Sequence, residues 1–179
     1  QMGVPGVAAF SVINFIMAFG IMIAYGVSDS LMPIVSTNFG ALQSKRITSF
    51  LSIASLSILG IGIILFILLT IAPKQMVDIF LESEAQSSAE IALDFARLIK
   101  WAFLFNGLNM ILSAYFTAMH RPIESVVVAF SRSLVLPITA VILLPKLFGT
   151  AGIYFAIPLA EILTFGIAII LLVKNRPSK

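Results

Sequence analysis

The chain has 179 residues, of which 60% are hydrophobic and only 11% charged, with a formal net charge of +3 and a mean hydropathy of +1.10. A soluble domain carries about 25% charged residues, and its helices show polar faces that long stretches here lack, so a soluble fold is excluded. The lack of Cys and the single His, His120, exclude a disulfide framework, thiolate catalysis and a Cys- or His-built metal site, and bases scattered without a stripe exclude a nucleic-acid partner.

No charged n-region or small-residue cleavage site precedes the first apolar stretch, so Gln1 is expected to open neither a signal peptide nor a natural start. The expectation is a piece cut from something longer. Crossing about 30 Å of hydrocarbon takes about 20 helical residues. Five stretches qualify: residues 7–38, 47–71, 93–119, 125–144 and 152–173. The expected fold is all-α, a polytopic transmembrane bundle of five membrane-spanning helices and a single domain over residues 1–179.

Punctuation agrees with the hydropathy. Pro5 suits a first helical turn, Pro73 stops the second helix, Pro122 precedes the fourth, and Pro145 with Gly149 is expected to separate the fourth from the fifth. Residues 85–95, with Ser87, Ser88 and Glu90 at a helix start, read as an external amphipathic lead into the third. Lys45, Arg46, His120, Arg121, Lys174, Arg176 and Lys179 fall on one side of the membrane, and Asp78, Glu82, Glu84 and Glu90 on the other, with Lys74 and Lys146 its only loop bases. The positive-inside rule then puts the carboxyl end in the cytoplasm.

On the second helix, Ser49, Ser52, Ser55, Gly60 and Gly62 read as a packing face rather than a polar transport path. Three charges lie inside spans: Asp29, Arg132 and Glu161. Each costs about 2.5 to 3.5 kcal/mol unpaired at mid-bilayer, so each needs a partner, a hydrated cavity or a task. At 1.5 Å per residue they lie roughly 10 to 18 Å deep, in one layer, and an Arg132–Glu161 pair between consecutive helices is expected. Such a pair either fixes helix register or takes part in transport. Asn106, Asn109, Ser113 and Thr117 share a face of the third helix; Asn14, Tyr25 and Asp29 share one on the first; Ser125, Arg132 and Thr139 recur on the fourth. The three stripes together predict a hydrated cavity, although interhelical hydrogen bonding explains any one of them. No nucleophile triad, zinc motif or phosphate loop is present, so an enzyme is not expected.

Residues 26–41, Gly-Val-Ser-Asp-Ser-Leu-Met-Pro-Ile-Val-Ser-Thr-Asn-Phe-Gly-Ala, followed by Lys45 and Arg46, resemble the pattern near the cytoplasmic end of the second helix of each half in the multidrug and toxic compound extrusion (MATE) family. Residues 114–122 and the hairpin of residues 147–161 resemble the same family in order and spacing. The resemblance implies the second to sixth helices of a six-helix half, the carboxyl-terminal one. It also implies an inner-membrane antiporter exporting organic cations against Na⁺ or H⁺, with the amino-terminal half as partner and no cofactor besides the coupling ion. The chain departs from the family at Asp29, often a glutamine-like residue there, and on the helix of Asn106 to Thr117, which lacks the acidic cation ligand of some members. Asp29 and Glu161 are then the carboxylates for cation attraction or proton coupling. Two rivals are a lipid-linked oligosaccharide flippase, which needs several cavity cations where Arg132 stands alone, and a nontransporting scaffold, which needs no wet face.

Overall fold

Backbone groups in lipid find no water, so each apolar stretch closes its hydrogen bonds within itself as a helix. The computed structural model describes residues 3–80 and 86–174, and among them there is no strand. The helices are α1 (Gly3–Gly40), α2 (Ser44–Ile71), α3 (Pro73–Asp78), α4 (Gln86–Ile99), α5 (Ala102–Ala118), α6 (Pro122–Phe130), α7 (Leu136–Phe148) and α8 (Thr150–Lys174), with a π-turn, Ser131–Val135, joining α6 to α7. Four segments are long and apolar enough to cross a membrane: α1, α2, α6 through α7, and α8. The fifth, α5, is a shorter apolar helix.

Alpha-helix five is the axis of the bundle. It packs against α1, α2, α6 and α8 and buries most of its circumference, from Ala102 and Phe103 to Phe116 and Ala118. Two apolar layers surround it. One joins Ile13, Ile16, Leu65, Leu69, Phe95 and Phe103; the other joins Leu31, Val35, Ile58, Ile111, Phe116 and Val128.

The expected third span, residues 93–119, is two helices. Amphipathic α4 buries Ala92, Phe95, Ala96 and Ile99 and exposes an Asp94–Arg97 ion pair. It stops where Lys100 donates to Thr70 Oγ1 at 3.1 Å and lies 5.2 Å over the Phe66 ring. Trp101 meets that ring edge-on at 4.8 Å. These contacts tie the junction to the end of α2, and the chain turns there into the bundle. Within the expected lead, Ala85 lies outside the described residues, as do Glu82, Glu84, Arg176 and Lys179.

The fourth span also differs. It passes through Pro145 to Phe148, because a proline keeps its carbonyl and the Gly149 amide bonds that oxygen at 2.9 Å. Gly149, at φ +59°, ends it alone. Midway, the amide of Leu136 donates to the Ser131 carbonyl, five residues back. Pro137 has no amide for the Ser133 carbonyl and its ring crowds that oxygen, which accounts for the widened turn.

The packing face of α2 is not the row of small residues. Ile47, Ala54, Ile58, Gly62, Leu65 and Leu69 are buried, whereas Ser49 and Ser52 are exposed. Only Gly62 of the expected set makes a close approach, its Cα lying against the Phe103 carbonyl of α5. Large aliphatic side chains fill most of the face, because α5 is held elsewhere along its length by side-chain interdigitation.

Candidate functional site: a polar cleft and a caged carboxylate

Alpha-helix one presents Tyr25, Ser28, Asp29 and Met32 to a cleft of about 270 Å³. Their spacing of three, one and three residues places them on one helix face. Across from them stand Asn109, Ser113 and Thr117 of α5, and Arg132 with Ser133 of the π-turn. Asp29 is exposed and has no ion pair among the described residues. Asn14 shares the face of Tyr25 and Asp29, yet it lies eleven residues before Tyr25, roughly 16 Å along the axis. It is exposed and does not line the cleft. Thr139 likewise turns back to its own helix, donating to the Val135 carbonyl at 2.7 Å.

Behind the cleft sits Glu161, only 4% exposed. Its Oε1 accepts from Asn106 Nδ2 at 2.7 Å and from Arg132 Nε at 3.1 Å, and its Oε2 accepts from Asn109 Nδ2 at 2.8 Å. The Asn109 amide also reaches the Glu161 backbone carbonyl at 2.9 Å. The structure therefore brings together Asn106 and Asn109 of one stripe, Arg132 of another and Glu161, which belonged to none. Asn106 does not line the cleft; it is committed to the carboxylate. A buried carboxylate is tolerated when it is paired and its lone pairs are filled, and here the π-turn supplies the pair and α5 the further donors.

Toward the far end of the cleft, Ser113, Thr117 and Ser125 form a hydroxyl cluster. Thr117 Oγ1 and Ser125 Oγ are 2.7 Å apart, and Ser125 Oγ donates to the Ser113 carbonyl at 2.9 Å. Two cleft-lining groups stay unpartnered: buried Ser28 Oγ and the Oδ1 of Asn109. Unsatisfied buried acceptors this close to a polar cavity suit water or a donor group of a ligand. Sequence reasoning missed Ser28 and Ser133. The first was legible as the residue three beyond Tyr25 on the same face.

A hydrated cleft has a direct signature. In the complete protein, Ser113→Cys and Thr117→Cys react with a water-soluble thiol reagent, while Ile111→Cys, fully buried on the other side of α5, stays protected. Equal protection at all three positions removes the cleft.

Comparison with known proteins adds three findings. The family model described as MatE matches residues 1–143. A protein of Shewanella oneidensis described as an FAD transporter is 26% identical over 162 residues, 90% of this chain and 35% of that protein. The solved structure of the MATE multidrug transporter DinF-BH in complex with R6G superposes with a TM-score of 0.76 at 24% identity, over 93% of this chain and 37% of that one. The chain thus spans little more than a third of either relative, and the structural likeness speaks to the fold alone.

Proposed function

The chain belongs to the MatE family of membrane transporters, and from that membership we propose that it is the carboxyl-terminal part of a secondary active exporter of organic cations, driven by Na⁺ or H⁺ antiport. The observation that carries the cation reading is the charge balance of the cleft. Arg132 is neutralised by Glu161, so Asp29 is the cleft's uncompensated charge. A cleft of one sign concentrates the opposite ion. Its partner is the amino-terminal half of the same protein, because alternating access rocks one bundle against another about a site between them. On this reading the protein sits in the inner membrane with its carboxyl end in the cytoplasm, as the basic loops favour.

A second reading comes from the relative described as an FAD transporter: an anionic dinucleotide as cargo. It would call on Arg132, the cleft's lone cation, which is already engaged. The lipid-linked oligosaccharide flippase meets the same difficulty.

The test is efflux from proteoliposomes holding the complete transporter, with Na⁺ and pH gradients applied separately, and a fluorescent organic cation compared with FAD. The expected result is gradient-dependent export of the cation, slowed at least about tenfold by Asp29→Asn as the local field is lost. Export of FAD without export of any cation overturns the cation reading. Efflux by the isolated chain, without pairing into a two-bundle unit, overturns the half-transporter reading.

A further inference from the structure

Arg132 is attached to Glu161 by an unusual economy of contact. Among the described residues, its guanidinium bonds the carboxylate through Nε alone, although Arg and a carboxylate readily form a two-bond fork. Glu161, by contrast, does not depend on Arg132 for its orientation. Asn106 and Asn109 hold one oxygen each, and Asn109 also ties the Glu161 main chain to α5. Withdrawal of the guanidinium therefore leaves a formed, inward-facing acceptor.

The position of Arg132 completes the case. It touches Glu161 on one side and lines the cleft on the other, so it occupies the place where a cation coming from the cleft would meet the carboxylate. It is carried on the π-turn, the one stretch of its span where the backbone is already off α-helical register. Its guanidinium ends a flexible side chain, so rotation about the side-chain bonds carries it off Glu161 with the Pro137-fixed π-turn unchanged.

We propose that Glu161, backed by Asn106 and Asn109, is a receptor for a small cationic head with N–H donors, an alkylammonium or guanidinium, and that Arg132 is the chain's own tethered stand-in for that head. Cargo binds by taking the guanidinium's place while the Arg132 side chain swings aside into the cleft it lines. The Glu161 carboxylate and the unpartnered Asn109 Oδ1 are acceptors that suit a head donating hydrogen bonds. A bulky onium ion without N–H has neither the donors nor the size to enter. The inference rests on the organic-cation reading above and adds the chemistry of the head group.

Equilibrium binding to the complete transporter, in alkaline buffer where carboxylates are ionised, tests it with two probes: ethylguanidinium and tetraphenylphosphonium. With Arg132→Ala, ethylguanidinium is expected to bind at least about tenfold tighter, a change of about 1.4 kcal/mol, and tetraphenylphosphonium is expected to bind as before. The gain disappears in Arg132→Ala combined with Glu161→Gln. An unchanged ethylguanidinium affinity in Arg132→Ala, or a gain that survives Glu161→Gln, overturns the proposal. If Arg132→Ala fails to accumulate, the readout becomes its recovery during expression with ethylguanidinium present. Recovery that requires Glu161 supports the receptor, and failure to recover overturns it. Where the unsubstituted transporter exports cations but these affinities do not move, the transport reading stands and only the tethered stand-in falls. Where no cation is bound or exported at all, both fall.

Discussion

Glu161→Gln destabilises the bundle by about 3 to 5 kcal/mol, and Arg132→Gln added to it restores most of the loss. The expectation follows from the cage. Removing one partner of a buried pair strands the other charge in a medium that cannot solvate it, which is the costly event, whereas removing both leaves neutral groups that can share hydrogen bonds. Arg132 has a side chain only 16% exposed, so little solvent reaches the stranded guanidinium. The measurement is the midpoint of denaturant unfolding in micelles for the two single variants and the double. Additive losses show that the charges are energetically independent and remove the coupling. Efflux then separates two roles: a double variant that regains stability without transport marks the pair as functional, and one that regains both marks it as a structural brace.

The second large effect concerns the crossing of α2 over α5. A β-carbon at Gly62 would fall on the Phe103 carbonyl, with the backbone of Leu104 next behind it. Main-chain atoms in a packed helix cannot move aside as a side-chain tip can. Gly62→Ala is therefore expected to cost about 2 to 3 kcal/mol, at the upper end of overpacking losses. Gly60, two residues earlier, has nothing within 4 Å of its added carbon. Gly60→Ala stabilises the helix by roughly 0.5 to 1 kcal/mol through lost unfolded-state freedom. Equal behaviour of the two variants would mean that α2 and α5 do not cross at Gly62.

The all-helical fold was legible because lipid leaves the main chain few alternatives, so hydropathy alone marks the spans. Breaks inside them were not. Lys100 and Trp101 look like tolerable members of a long apolar tract, and their anchoring to Thr70 and Phe66 is a tertiary contact with no periodic trace. Pro145 was read as a stop because proline usually is one, whereas one turn of helix beyond it closes on its own carbonyl. At the site, helical spacing alone collected Asn106, Asn109, Ser113 and Thr117 on one face and brought out Glu161 and Arg132 as charges needing partners. Spacing could not divide that face between a carboxylate and a cleft, since the division depends on how far α8 leans toward α5. Nor could it place Asn14, which has the right angle and the wrong height.

The order of synthesis gives the central helix a problem of timing. At 17 residues, about 25 Å of rise, α5 is short of a full crossing and carries two asparagines whose acceptor, Glu161, is made 55 and 52 residues later, on α8. Until then the nascent chain holds a polar segment in oil with its amides unmatched. The amides of α5 are thus matched only when translation has passed Glu161. Nascent chains ending before that point present α5 as an unfinished segment, open to removal by the proteases that police the bilayer.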